Sequence, residues 1–149
     1  MLKESLKTIF SRDLKKLQTE IEQYQNERNI WLTDHNISNS AGNLCLHLVG
    51  NLNTYIGKEL GKTEYIRDRP LEFSLKDVPR AELVHKIEAT IQMVNDTLND
   101  LTEDDLNRDY PAVKVVEGGS STGFMLIHLA AHLGYHLGQI NYHRRLLDL

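Results

Sequence analysis

His128-Leu129-Ala130-Ala131-His132-Leu133-Gly134-Tyr135-His136-Leu137-Gly138-Gln139 decides the reading of this chain. Leu129, Leu133 and Leu137 recur every fourth residue without an intervening proline, the pattern of one apolar helical face. At about 100° per residue, His128, His132, His136, Gln139 and His143 fall along one polar strip. Leu129, Leu133, Leu137 and Ile140 flank it on one side, and Phe124, Ile127, Ala131 and Tyr135 on the other. A polar strip between two apolar flanks is expected to point into the protein. His132 and His136, four residues apart, stand one above the other and can address one ion.

Working back toward the N-terminus, three more helical stripes precede this one. Leu6, Phe10, Leu14, Leu17, Ile21, Tyr24 and Trp31 predict a first helix reaching to about Trp31. The polar run 33–40 reads as a loop in which Ser38 or Ser40 caps the next helix. That second helix carries Leu44, Leu48, Leu52 and Tyr55, and ends near Gly57 to Gly61. Asp77-Val78-Pro79 opens a third, with Leu83, Ile87, Ile91, Val94, Leu98 and Leu101 on its stripe. The last helix starts at Ser120 or Ser121. Two long connections, 61–77 and 102–120, separate these helices, and Val113-Lys114-Val115-Val116 reads as a short extended piece. The expected fold is therefore all-α, a four-helix bundle whose long connections depart from simple up-down-up-down order, in one domain over 1–149.

Composition narrows the function. The chain has 149 residues, 17 Lys+Arg against 21 Asp+Glu and a net charge of −4, which argues against a nucleic-acid backbone as partner. No apolar run approaches the roughly 18–20 residues of a membrane span. The single cysteine, Cys45, excludes an intrachain disulfide and, with no signal-peptide pattern at the start, points to the reducing cytoplasm. Phosphate-loop, nucleophile-elbow and structural-zinc cysteine motifs are absent.

Seven histidines are the exceptional feature. His47, in Leu44-Cys45-Leu46-His47-Leu48, lies beside the apolar stripe of the second helix, so it too is expected inside. Two inward histidines on one helix and a third on another meet if the helices pack side by side. Three imidazoles leave a metal position open for water or substrate, and suit Zn, Ni or Fe(II). The plainer alternative is that these are core or surface histidines with no ion, since an HxxxH pair alone is common. His128 is left as a neighbour of the ligands, a fourth ligand or a core residue. His143, beside Arg144 and Arg145, is read as neutralising the end of its helix, His35 and His85 as exposed, and Cys45 as a buried structural thiol.

The segment from Asn39 to Asn51 around His47, followed by His132-Leu133-Gly134-Tyr135-His136-Leu137-Gly138-Gln139-Ile140, resembles the DinB-like (YfiT-type) superfamily of metalloproteins over nearly the whole chain. Arg67-Asp68-Arg69 followed by Glu72-Phe73 marks a branch with an R-x-R-x-x-E-F segment. The resemblance implies an up-down-down-up bundle with a long crossover, one divalent metal on His47, His132 and His136, and a homodimer. It also implies enzymes that activate a low-molecular-weight thiol toward a small electrophilic substrate. The family's substrate residues do not carry over to this branch. From their places in the chain, Asn51 and Gln139, with His128 as a further candidate, are read as orienting ligands, and Tyr135 with Arg67 or Arg69 as touching substrate. The plainer readings are that Tyr135 packs in the core and the arginines pair with Asp68 and Glu72. The competing expectations are a metal-binding protein without turnover and a structural dimeric bundle.

Overall fold

The computed structural model describes residues 1–112, 117 and 119–149; the extended piece read at Val113–Val116, and Gly118, lie outside them. The described residues are helical and contain no strand, only an isolated bridge between Asp109 and Ser121. Helix α1 spans Leu2–Gln23 and buries Leu6, Phe10, Leu14, Leu17 and Ile21 at three- and four-residue steps. Helix α2 spans Ala41–Leu52, with all twelve residues buried, and runs on as a wider π turn over Asn53–Lys58. Of the two serines that could cap it, Ser40 does so, its hydroxyl accepting from the Asn43 amide at 3.1 Å. Helix α4 spans Arg80–Asp100 behind Pro79, and α6 spans Thr122–Leu147 behind Ser121, whose hydroxyl accepts from the Phe124 amide.

Three features depart from the sequence reading. The first helix stops at Gln23, not near Trp31; the chain turns extended at Tyr24 and re-forms a 3₁₀ turn over Glu27–Trp31. Distant residues hold that break open. Arg80 donates to the carbonyls of Glu22 and Tyr24, and the Asp148 carboxylate accepts from the amides of Gln25 and Asn26 and from the Asn29 side chain. Carbonyls and amides satisfied this way no longer need the helical ladder. Secondly, the connection 61–77 contains a short helix, α3, over Arg69–Ser74, capped by Asp68 with Pro70 in its first turn. Thirdly, the later connection holds α5, Glu103–Asn107, started by a reciprocal capping box between Thr102 and Asp105.

Pairs of contacts give the relative directions of the long helices. Lys3 at the start of α1 reaches the carbonyls of Asn99 and Leu101 at the end of α4, while Arg80 reaches the end of α1, so these two run antiparallel. Glu20 near the end of α1 takes Asn141 and Arg144 near the end of α6, and Leu2 lies at Gly123, so that pair is parallel. Asn53 bonds Thr90, Gly57 abuts Met93 and Gly61 abuts Thr97, making α2 parallel to α4. His47 faces His132 while the earlier Leu44 shares a cleft with the later His143, so α2 is antiparallel to α6. Phe10, Leu14, Leu48, Leu52, Leu83, Leu98, Leu129 and Leu133 fill the space between them. No helix among the described residues is long and apolar enough to cross a membrane.

His143 corrects a further reading. Rather than neutralising a helix end, it is buried between Tyr24 and the backbone of Leu32. The Leu32 carbonyl can only accept, so His143 Nε2 carries the proton, and Nδ1 accepts the Tyr24 hydroxyl at 2.7 Å. Burial lowers the His143 pKa below its ordinary 6.5, opposed by the bond to Leu32. The unfolded chain therefore takes up a proton there before the folded one does. Stability contributed by neutral His143 is full above pH 6.5 and is lost as the pH falls through 6.5 toward the lower folded value. In chelator, urea unfolding of the parent should weaken over that window more steeply than that of His143→Phe. Identical slopes would refute the assignment.

Candidate metal centre

α2 and α6 bring His47, His132 and His136 together. His132 Nε2 lies 3.3 Å from His47 Nε2 and 3.1 Å from His136 Nε2. Among the described residues these three form the one group of histidine, cysteine or acidic side chains close enough to share an ion. His47 is buried and the other two half-buried.

The outer ring nitrogens explain why the inner ones face each other. His47 Nδ1 lies 3.1 Å from Glu72 Oε1, nearer than the Arg67 terminal nitrogen at 3.4 Å, which is itself committed to Glu72 at 3.0 Å, and His136 Nδ1 lies 2.7 Å from Gln139 Oε1. Both oxygens accept, so both Nδ1 atoms carry protons and both Nε2 atoms present lone pairs inward. His132 Nδ1 is buried without a partner. Burial lowers the pKa of His47 and brings that of His132 down to about 4, with His136, His47 and His128 adding to the shift at His132. Those two rings are thus neutral near pH 7, the form that ligates. A cation with nitrogens at about 2.0–2.1 Å separates neighbouring ligand atoms by about 3.0 Å in octahedral and about 3.4 Å in tetrahedral coordination. Both spacings that His132 Nε2 makes fall in that interval, and all three ligand atoms lie within 4.8 Å of one another. The donor set and its orientation fit a divalent metal.

Glu72 is the residue the sequence reading did not place here. It arrives on α3, 6% exposed, and is clasped by Arg67, whose Nε and terminal nitrogen donate at 2.8 and 3.0 Å. Its seat is open because residue 50 is glycine: a Cβ there would overlap the carboxylate. Asn43 pins α3 to α2, donating to the carbonyls of Glu72 and Leu75 at 2.9 and 2.8 Å. Phe73 then packs on His47 with ring centres 5.0 Å apart, and Arg69 lies over Phe73. The signal available in sequence was Arg67-x-x-x-x-Glu72 in an overlong connection, opposite a glycine inside a helix.

The other candidates divide. Asn51, one turn beyond His47, is buried with its Oδ1 unpartnered. His128 is exposed and outside the group of three. Tyr135 is 65% exposed, its ring against that of His136. His35 and His85 are exposed, and Cys45 is fully buried, with burial pushing its thiol up to about 12. The flank of Phe124, Ile127, Ala131 and Tyr135, expected inside, faces outward instead. α6 packs on α1, α2 and α5, and its apolar circumference is wider than those neighbours cover. Beside His136, the one member of the triad that lines it, opens a cleft of about 510 Å³, edged also by Gln139 and His143 and otherwise lined by neutral side chains such as Ile37, Leu44, Tyr142 and Leu146.

The chain belongs to the DUF1572 family. The family's sequence model, described as a protein of unknown function, matches residues 2–148. No curated protein matches the chain.

Proposed function

We propose that this chain is a divalent-metal-dependent enzyme of the DinB-like superfamily, transferring a low-molecular-weight thiol to small electrophilic substrates. The observation that carries the reading is the convergence of three Nε2 atoms, with an open cleft bordering one of the three rings, His136. A closed metal store would have no use for such a cleft. The helix directions support the single four-helix bundle, in up-down-down-up order, that this superfamily implies.

His47, His132 and His136 would hold Zn, Ni or Fe(II). Bound there, the metal would supply an acidified thiol, present as thiolate at neutral pH. The protein's own residues do the remainder. Glu72 and Gln139 hold the protons of His47 and His136 on the outer nitrogens, Phe73 backs the His47 ring, and the cleft's apolar wall takes the carbon skeleton of a neutral substrate. The outward apolar face of α6, Phe124, Ile127, Tyr135, Tyr142 and Leu146, supports a homodimer. A cytoplasmic setting, where free thiols are abundant, suits this chemistry.

The test is a screen of metal-loaded, untagged protein against cellular thiols paired with alkylating or isomerisable electrophiles. Turnover that disappears on chelation and returns with metal is expected. Tight metal binding without thiol consumption across the panel would leave a metal-binding protein without turnover.

A further inference from the structure

We propose that Glu72, locked by Arg67, is the positioning residue of the centre: it sets the tautomer of His47 and thereby its readiness to ligate. The inference rests on the metal reading above and adds a relay running from Arg67 through Glu72 to His47. Neutral imidazole carries one proton, and either nitrogen can hold it. A carboxylate at 3.1 Å from Nδ1 selects the Nδ1–H form and leaves the Nε2 lone pair directed at His132. Without Glu72, the proton would move to Nε2, where it points at the neighbouring nitrogens and blocks an ion.

The surroundings are built around this one carboxylate. Both Glu72 oxygens are engaged by Arg67, and the side chains of the pair are 14% and 7% exposed. A buried carboxylate gripped by a bidentate guanidinium keeps one orientation. Gly50 supplies the space, and Asn43 holds the backbone of Glu72 itself. A carboxylate serving only as an Arg67 partner would not need a gap cut into a buried helix beside a metal-ligating histidine. The arrangement also gives the R-x-R-x-x-E-F segment a task, since the long connection delivers Glu72 to α2.

Three variants test it with zinc alone as probe. Glu72→Ala should bind zinc about 10–100-fold more weakly than the parent by chelator competition. Glu72→Gln, which keeps an acceptor oxygen and the side-chain volume but not the charge, should lose less. Gly50→Ala leaves Arg67 and Glu72 chemically intact yet displaces the carboxylate, and should weaken zinc in the same direction, although alanine is the better helix former. In metal-free protein, ¹⁵N-resolved imidazole spectra should show His47 as the Nδ1–H tautomer in the parent and shifted toward Nε2–H in Glu72→Ala, a change that a merely structural role would not produce. Zinc affinity unchanged in Glu72→Gln and Gly50→Ala, with the His47 tautomer unmoved, overturns the proposal while the metal reading stands. A parent that binds no zinc overturns both.

Discussion

Untagged His132→Ala should carry background metal after exposure to zinc or nickel, where the parent carries near one equivalent per chain by elemental mass spectrometry. His132 is the hinge of the triad, its Nε2 being the atom within 3.3 Å of both other ligands. Removing it leaves two imidazoles on different helices, too few for stable capture. Stability offers an independent readout. His132 Nδ1 is buried without a partner, so alanine removes an unsatisfied group, and the metal-free variant should melt no lower than the parent. The parent should gain about 2.7 kcal/mol from an ion present at about 100 times its Kd, and the variant nothing. Full metal content in His132→Ala would return these histidines to ordinary half-buried side chains and remove the basis for enzyme chemistry.

Asn43→Ala should be among the most destabilising substitutions that delete no apolar core volume. Asn43 is fully buried and makes four side-chain bonds: two donated to the carbonyls of Glu72 and Leu75, and two accepted from Ser40 and Lys76. Alanine strands two carbonyls at the end of α3 and releases the link between α3 and α2. At about 1–3 kcal/mol for each buried group left unpaired, less what water recovers at the half-exposed Leu75, the loss should be about 2–4 kcal/mol in urea unfolding. Lys76→Met, which removes one exposed-side donor, should cost less than about 1 kcal/mol. Because Asn43 fixes the backbone of Glu72, zinc affinity should also fall although residue 43 touches no ligand. A change below about 0.5 kcal/mol would mean that α3 is held by other contacts.

The two large effects sit on different layers of legibility. His132 and His136 could be singled out from a four-residue spacing, and His47 from its place beside a leucine stripe. Asn43 and Glu72 gave no such sign. Asn43 lies in a helix first turn, where asparagine is ordinary, and its work is done 29 and 32 residues away. Glu72 sits in what reads as a connection, and only the closeness of α3 to Gly50 converts it from one more charged residue into a partner of His47. His143 was misread for the same reason: its neighbours in the chain are arginines, but its neighbours in space are Tyr24 and Leu32.

What the sequence alone determined was whatever is written within one or two helical turns. The apolar stripes, the Pro79 start and the two-serine choices at Ser38 or Ser40 and at Ser120 or Ser121 depend on residues three or four apart, and α2, α4 and α6 begin where those signals put them, with Ser40 and Ser121 as the caps used. The tertiary structure decided what depends on partners far along the chain. It ended α1 at Gln23 through Arg80 and Asp148, turned the flank of Phe124, Ile127 and Tyr135 outward, and carried Glu72 to His47. The physical reason is range. Helix propensity and capping are local free energies, whereas a buried carboxylate, a broken helix end or a covered face is stable only once the groups that satisfy it have been brought alongside.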